Sequence, residues 1–74
     1  MRLCDLKIGQ QGNVLALNCV GGMRRRLLDI GLIEGTTVEC VGRSPSGDPA
    51  AYLIRGAVIA IRDRDSADIL IEMR

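Results

Sequence analysis

The stretch Met23-Arg24-Arg25-Arg26-Leu27-Leu28-Asp29-Ile30-Gly31-Leu32 holds the clearest helical signal in the chain, and the pattern changes on both sides of it. Met23, Leu27 and Ile30 stand at i, i+4 and i+7, on one face of a 3.6-residue helix, and Leu28 widens the stripe. The spacing predicts a helix over Met23 to Ile30. Gly31 then falls at C′, where a left-handed backbone costs glycine least, and Leu32 at C″, where an apolar side chain packs back on the last turn. Two turns are not stable alone, so this helix has to dock on something.

The partner it needs is predicted by the flanking residues. Leu3, Leu6 and Ile8 form an apolar entry segment ending at Gly9. Asn13 to Cys19 reads as a strand whose apolar run, without clean alternation, predicts cover on both faces. Thr36 to Val41 is rich in β-branched residues and reads as the next strand. Arg43 to Pro49 is dense in turn residues and reads as a plain hairpin connection. Ala51 to Arg55, Ala57 to Arg62 and Asp68 to Met73 are three further strands, with Gly56 a tight turn or bulge and 63–67 one helical turn. Five short strands and one inserted helix predict a single mainly β domain over residues 1–74, a small partly open barrel; SH3-like and OB barrels both fit.

Composition supports folding and removes whole classes of function. Leu, Ile and Val make up 22 of 74 residues, enough for a small core. There is no His, Trp or Phe, one Tyr, and a net charge of +1. Without His there is no imidazole base for Ser44, Ser46 or Ser66, and no enzyme is predicted. One aromatic makes no stacking platform for single strands, and near-neutrality gives no broad field for duplex nucleic acid. No apolar run approaches the length of a membrane span, and the N-terminal residues lack a signal-peptide core. Cys4, Cys19 and Cys40 are three, and none forms a Cys-x-x-Cys pair. They predict free thiols in a reducing cytoplasm, with Cys19 and Cys40 as small apolar strand residues, and no metal site.

Two features invite a functional reading. Gly21-Gly22 followed by three arginines puts positive charge where the helix dipole disfavours it, so something must compensate: a phosphate, an acidic surface or solvent. The arginines point about 100° apart and form no single patch. The aliphatic set Leu27, Leu28, Ile30, Leu32 and Ile33 is large for a two-turn helix, so one or two of its members are expected to line an exposed groove. Asp63, Asp65 and Asp68 lack metal-loop spacing and read as a solvated turn.

These pieces resemble one family. Arg26-Leu27-Leu28-Asp29-Ile30-Gly31-Leu32-Ile33-Glu34-Gly35-Thr36 is similar to the Arg-Leu-x-Asp-Leu-Gly-Leu-x-Pro-Gly-Thr signature of FeoA proteins. Leu3-x-x-Leu6-x-x-Gly9 resembles the start of that family, Arg43-x-Pro45-x-Gly47-Asp48-Pro49 its central loop, and Ile59 to Arg62 with Ala67 and Ile69 its closing strands. Glu34 stands where the family usually has Pro.

The resemblance implies an SH3-like β-barrel with one short inserted α-helix. It implies a cytosolic accessory of bacterial ferrous iron uptake, without known catalytic activity or cofactor, acting on the cytosolic G-protein region of an FeoB-type membrane transporter. From the residue pattern, the docking surface is expected at Met23, Arg24, Arg25, Leu28 and Leu32, with the aliphatics supplying affinity and the arginines steering. The rival expectation is a regulatory barrel like the C-terminal domain of iron-dependent repressors, acting through a DNA-binding partner. Neither reading involves membrane insertion or direct contact with nucleic acid. Exposed strand edges leave weak homo-oligomerisation open.

Overall fold

The computed structural model describes residues 1–74. A short 3₁₀ turn, Leu3–Asp5, leads into β1 (Gln11–Leu17), α1 (Gly21–Asp29), β2 (Thr37–Arg43), β3 (Ala50–Ile54), β4 (Ala57–Ile61), α2 (Asp63–Ser66) and β5 (Ile69–Met73). The strands form one antiparallel sheet in the order β4-β3-β2-β1-β5. The chain returns β5 to the outer side of β1, and α1 fills the connection between β1 and β2. This is the SH3-like barrel with its inserted helix.

Strand alternation builds the core. Val14 from β1, Val38 and Cys40 from β2, Ala50, Tyr52 and Ile54 from β3, Ile61 from β4, and Ile69 and Ile71 from β5 are all buried. Leu3 and Leu6 close one end of the core, while Leu27 and Leu32 bring the helix onto it. Ile8 is not part of this entry plug: it is 62% exposed. Cys19 is buried but lies beyond the end of β1, so it is core without being a strand residue.

β1 begins two residues earlier than the apolar pattern predicts. Gln11 and Gly12 pair with Glu39 and Val38, and the strand ends at Leu17. Gly12 suits a close approach, since a Cβ there would lie 2.9 Å from Ile71 Cδ1. The register against β5 shifts between Val14 and Ala16, leaving Leu15 as the extra residue of a bulge. Leu15 is half exposed, so the expectation of cover on both faces fails at that position. The bulge resets the alternation that a sequence pattern assumes.

Long-range polar contacts fasten the ends. The Arg43 guanidinium donates from Nη2 to the carbonyls of Cys4 (3.0 Å) and Leu6 (2.9 Å), and from Nη1 to that of Gly47 (3.2 Å). Met1 and Arg2 lie along the outer side of β5: Ile71 N–H donates to the Met1 carbonyl at 2.7 Å, and Arg2 bridges Leu70. One sheet edge is therefore partly covered by the chain itself, while β4 forms the other.

Candidate interaction surface

α1 owes its position to its C-terminal stop. Leu32 N–H donates to the Leu27 carbonyl at 2.9 Å and Gly31 N–H to that of Leu28 at 3.0 Å, with Gly31 at φ +91°. This six-to-one and five-to-two pair is the Schellman motif expected from Ile30-Gly31-Leu32. The same motif corrects one site expectation. Leu32 is 0% exposed, packed with Leu27 in the core, and offers no surface to a partner. It positions the helix instead.

The remaining four expected residues are not brought together on one face. Leu28, 40% exposed, stands beside Ile33, 45% exposed, in a shallow groove that Leu17 and Arg24 also line. Arg25 lies beside this groove, against Arg24, Leu28 and Asp29. Met23 sits on the other side of α1, half-buried in a cleft toward β4 with Ile30 and Ile59. Five residues separate Met23 from Leu28, about 140° around a helix, which accounts for the split. The expected exposed groove is present, with Leu28 and Ile33 as its two aliphatic members.

The arginine run also resolves into distinct roles. Val20 caps the helix without a side-chain hydrogen bond, and no acid lies in the first turn. Arg24 Nη1 donates to the Leu17 carbonyl at 2.6 Å, which ties one of the three positive charges to the end of β1. Arg25 and Arg26 are exposed, and their guanidinium groups make no hydrogen bond or ion pair within the chain. At the other end of the helix, Arg55 Nε donates to the Gly31 carbonyl at 3.0 Å.

The groups that bear chemistry lie apart from this surface. Cys19 and Cys40 are buried free thiols and Cys4 is half-buried. No group of three or more His, Cys, Asp or Glu side chains converges, and Asp63 serves the structure through its 3.7 Å ion pair with Arg43. Tyr52 is fully buried and adds no aromatic wall to any groove. Its hydroxyl lies near Ser66 but makes no hydrogen bond of good geometry, and Ser66 Oγ donates to the Asp63 carbonyl at 3.2 Å. Burial pushes the Tyr52 phenol up to about 12. The residue that sequence reasoning missed is Arg43, which looked like the start of a loop yet anchors three carbonyls. Its acceptors at Cys4 and Leu6 lie 39 and 37 residues away, so no local pattern marks them.

Comparison with known proteins places this geometry. The FeoA domain model matches residues 1–73. The chain belongs to the FeoA family. It is 33% identical over 73 residues to the Fe(2+) transport protein A/Fe(2+) transporter FeoB fusion protein of Porphyromonas gingivalis, covering 99% of this chain and 9% of that one. The chain thus spans about a tenth of the curated relative it matches. The solution structure of FeoA protein from Chlorobium tepidum superposes with a TM-score of 0.93 at 29% identity, over 99% of this chain and 70% of that one. A manganese-dependent transcriptional repressor shares the fold at 17% identity and a TM-score of 0.87, over all of this chain and 36% of that one. No helix of this FeoA-family chain is long and apolar enough to cross a membrane.

Proposed function

We propose that this chain is a non-enzymatic accessory module of ferrous iron uptake. It works in the cytoplasm and docks through the outer side of α1 on the cytosolic G-protein region of an FeoB-type transporter, whose activity it modulates. The observation that carries this reading is the fusion relative, in which a segment similar to this chain is joined to an FeoB transporter in one polypeptide. Covalent joining of two units holds them at high effective concentration, an arrangement suited to partners that work together. Leu28 and Ile33 supply an apolar contact flanked by Arg25, whose guanidinium is not engaged within the chain. This follows the usual interface pattern of apolar centre and polar rim. The repressor-like alternative is supported by fold alone.

The test is affinity capture from membranes of the native host grown with scarce iron, using tagged chain crosslinked in place. Wild type is expected to recover the transporter, and Leu28→Asp, checked for its fold by circular dichroism, to lose it. Recovery by both would move the site away from Leu28. Recovery of a DNA-binding regulator alone, or of nothing, would overturn the transporter reading.

A further inference from the structure

The second side of α1 faces a different feature. Between α1 and β4 lies a cleft of about 310 Å³ with Met23, Ile30 and Ile59 in its apolar lining. Arg26, Arg62 and Arg64 line it too, all exposed, and none of their guanidinium groups has an ion pair or hydrogen-bond partner within the chain. Asp65 is the one carboxylate among the lining residues. The cleft is therefore apolar inside and cationic at its margin.

β4 forms one wall of this cleft and is also a bare sheet edge. Its sequence, Ala57-Val58-Ile59-Ala60-Ile61, carries no charge and no Pro, and its register against β3 has no bulge, so it lacks three devices that usually guard an edge. The register fixes which backbone groups are free. Arg55 and Gly56, at φ +49° and +82°, form a two-residue hairpin loop, so Ile54 and Ala57 are a hydrogen-bonded pair. Alternation then turns Ile59 and Ile61 toward β3 and leaves the N–H and C=O of Val58 and Ala60 pointing away from the sheet. The opposite edge, β5, is partly covered by Met1 and Arg2, and β4 has no such cover.

We propose that β4 accepts an extended acidic segment of another polypeptide as a sixth strand. The segment's backbone pairs with Val58 and Ala60, its alternate apolar side chains enter the α1–β4 cleft, and its carboxylates meet Arg26, Arg62 and Arg64. Strand addition of this kind draws affinity from main-chain hydrogen bonds and specificity from pockets at alternate side chains. Charge selects the occupant. A second copy of this chain would bring its own Arg62 and Arg64 to a seam that already holds three cations, whereas an acidic segment neutralises them. The proposal concerns the side of α1 opposite Leu28 and does not depend on the transporter reading.

The probe is a synthetic peptide of alternating glutamate and valine, with a lysine-for-glutamate counterpart, each titrated into the nitrogen-15-labelled full chain by NMR. The glutamate peptide is expected to shift the amides of Val58 and Ala60 and slow their hydrogen exchange. The lysine peptide should bind at least about tenfold more weakly. Ala60→Pro removes an outward-pointing N–H, a position where an edge strand tolerates Pro, and should abolish binding. The surface double variant Arg62→Glu/Arg64→Glu leaves the backbone intact and should reverse the preference between the two peptides. Equal binding of both peptides, shifts confined to the Leu28 side, self-association through β4, or no response at millimolar peptide would each overturn the proposal.

Discussion

Removing the Arg43 side chain should be among the most damaging single truncations outside the apolar core. Its guanidinium holds the Cys4, Leu6 and Gly47 carbonyls, and the side chain is only 27% exposed. Hydrogen bonds to a charged group contribute about 1.5–3 kcal/mol each in favourable cases. Here one side chain makes all three, and the freed carbonyls regain some water, so Arg43→Ala is expected to cost about 2–4 kcal/mol. At roughly 0.05–0.15 kcal/mol per residue, a domain of this length holds only about 4–11 kcal/mol. The ion pair with Asp63 adds less: at 3.7 Å Asp63 Oδ1, though buried, accepts no hydrogen bond from Arg43, and the rest of the carboxylate reaches water in a side chain 46% exposed. Asp63→Asn should therefore cost under about 1 kcal/mol. Arg43→Lys, which lacks the fork, should recover less than half of the alanine loss. Urea denaturation followed by far-ultraviolet circular dichroism measures all three. A loss below about 1 kcal/mol for Arg43→Ala, or equal losses for Arg43→Ala and Asp63→Asn, would refute the carbonyl clasp.

Two further expectations concern positions where the structure marks a local imperfection. Tyr52→Phe removes a buried hydroxyl without a partner and should leave stability unchanged or raise it by about 1 kcal/mol. With the folded-state phenol raised from 10.0 to about 12, the wild type keeps its full stability below pH 10 and loses some as pH rises through 12. Phenolate absorbance of this single tyrosine, measured beside the denaturation midpoint, checks the sign, and Tyr52→Phe should lack the decline. Glu34→Pro should stabilise by about 0.4–1 kcal/mol, read from the thermal midpoint. Thr36 N–H donates to the Ile33 carbonyl at 3.0 Å and Gly35 has φ +87°, which makes Ile33–Thr36 a type II turn with Glu34 at the position Pro prefers.

What was legible in the sequence was local. Ile30-Gly31-Leu32 specified its cap because a left-handed Gly and an apolar C″ residue are decided within a few positions. Gly56 marked a turn, but Arg55 read as the end of a strand and instead joins Gly56 in the two-residue hairpin loop, at φ +49°. The facing of β1 was illegible where a bulge broke the count at Leu15, since an inserted residue changes every facing after it. The exposure of the expected docking residues was only partly legible. Leu28 and Arg25 reach the surface, but a C″ leucine that packs back on its helix is core, and Leu32 could not serve in both places. Arg43 was illegible because its acceptors belong to the far end of the chain.

The net charge of +1 conceals an asymmetry that bears on recognition. Several of the chain's cations are engaged internally: Arg2 pairs with Asp5, Arg24 with the Leu17 carbonyl, Arg43 with three carbonyls and Arg55 with Gly31. Arg25, Arg26, Arg62 and Arg64 are not. Near-neutrality therefore excludes a long-range field without excluding local electrostatic selection, because solvent-exposed charges act over about 8 Å at physiological salt. The free arginines divide between the two sides of α1, Arg25 beside Leu28 and the other three around the β4 cleft. Each side thus joins an apolar floor to unneutralised positive charge, and the helix between them is held to the barrel by Leu27, Leu32 and the Arg24 bond. A short helix can present both faces because it contributes only one fully buried residue of its own to the core, with Met23 and Ile30 packed against it only in part.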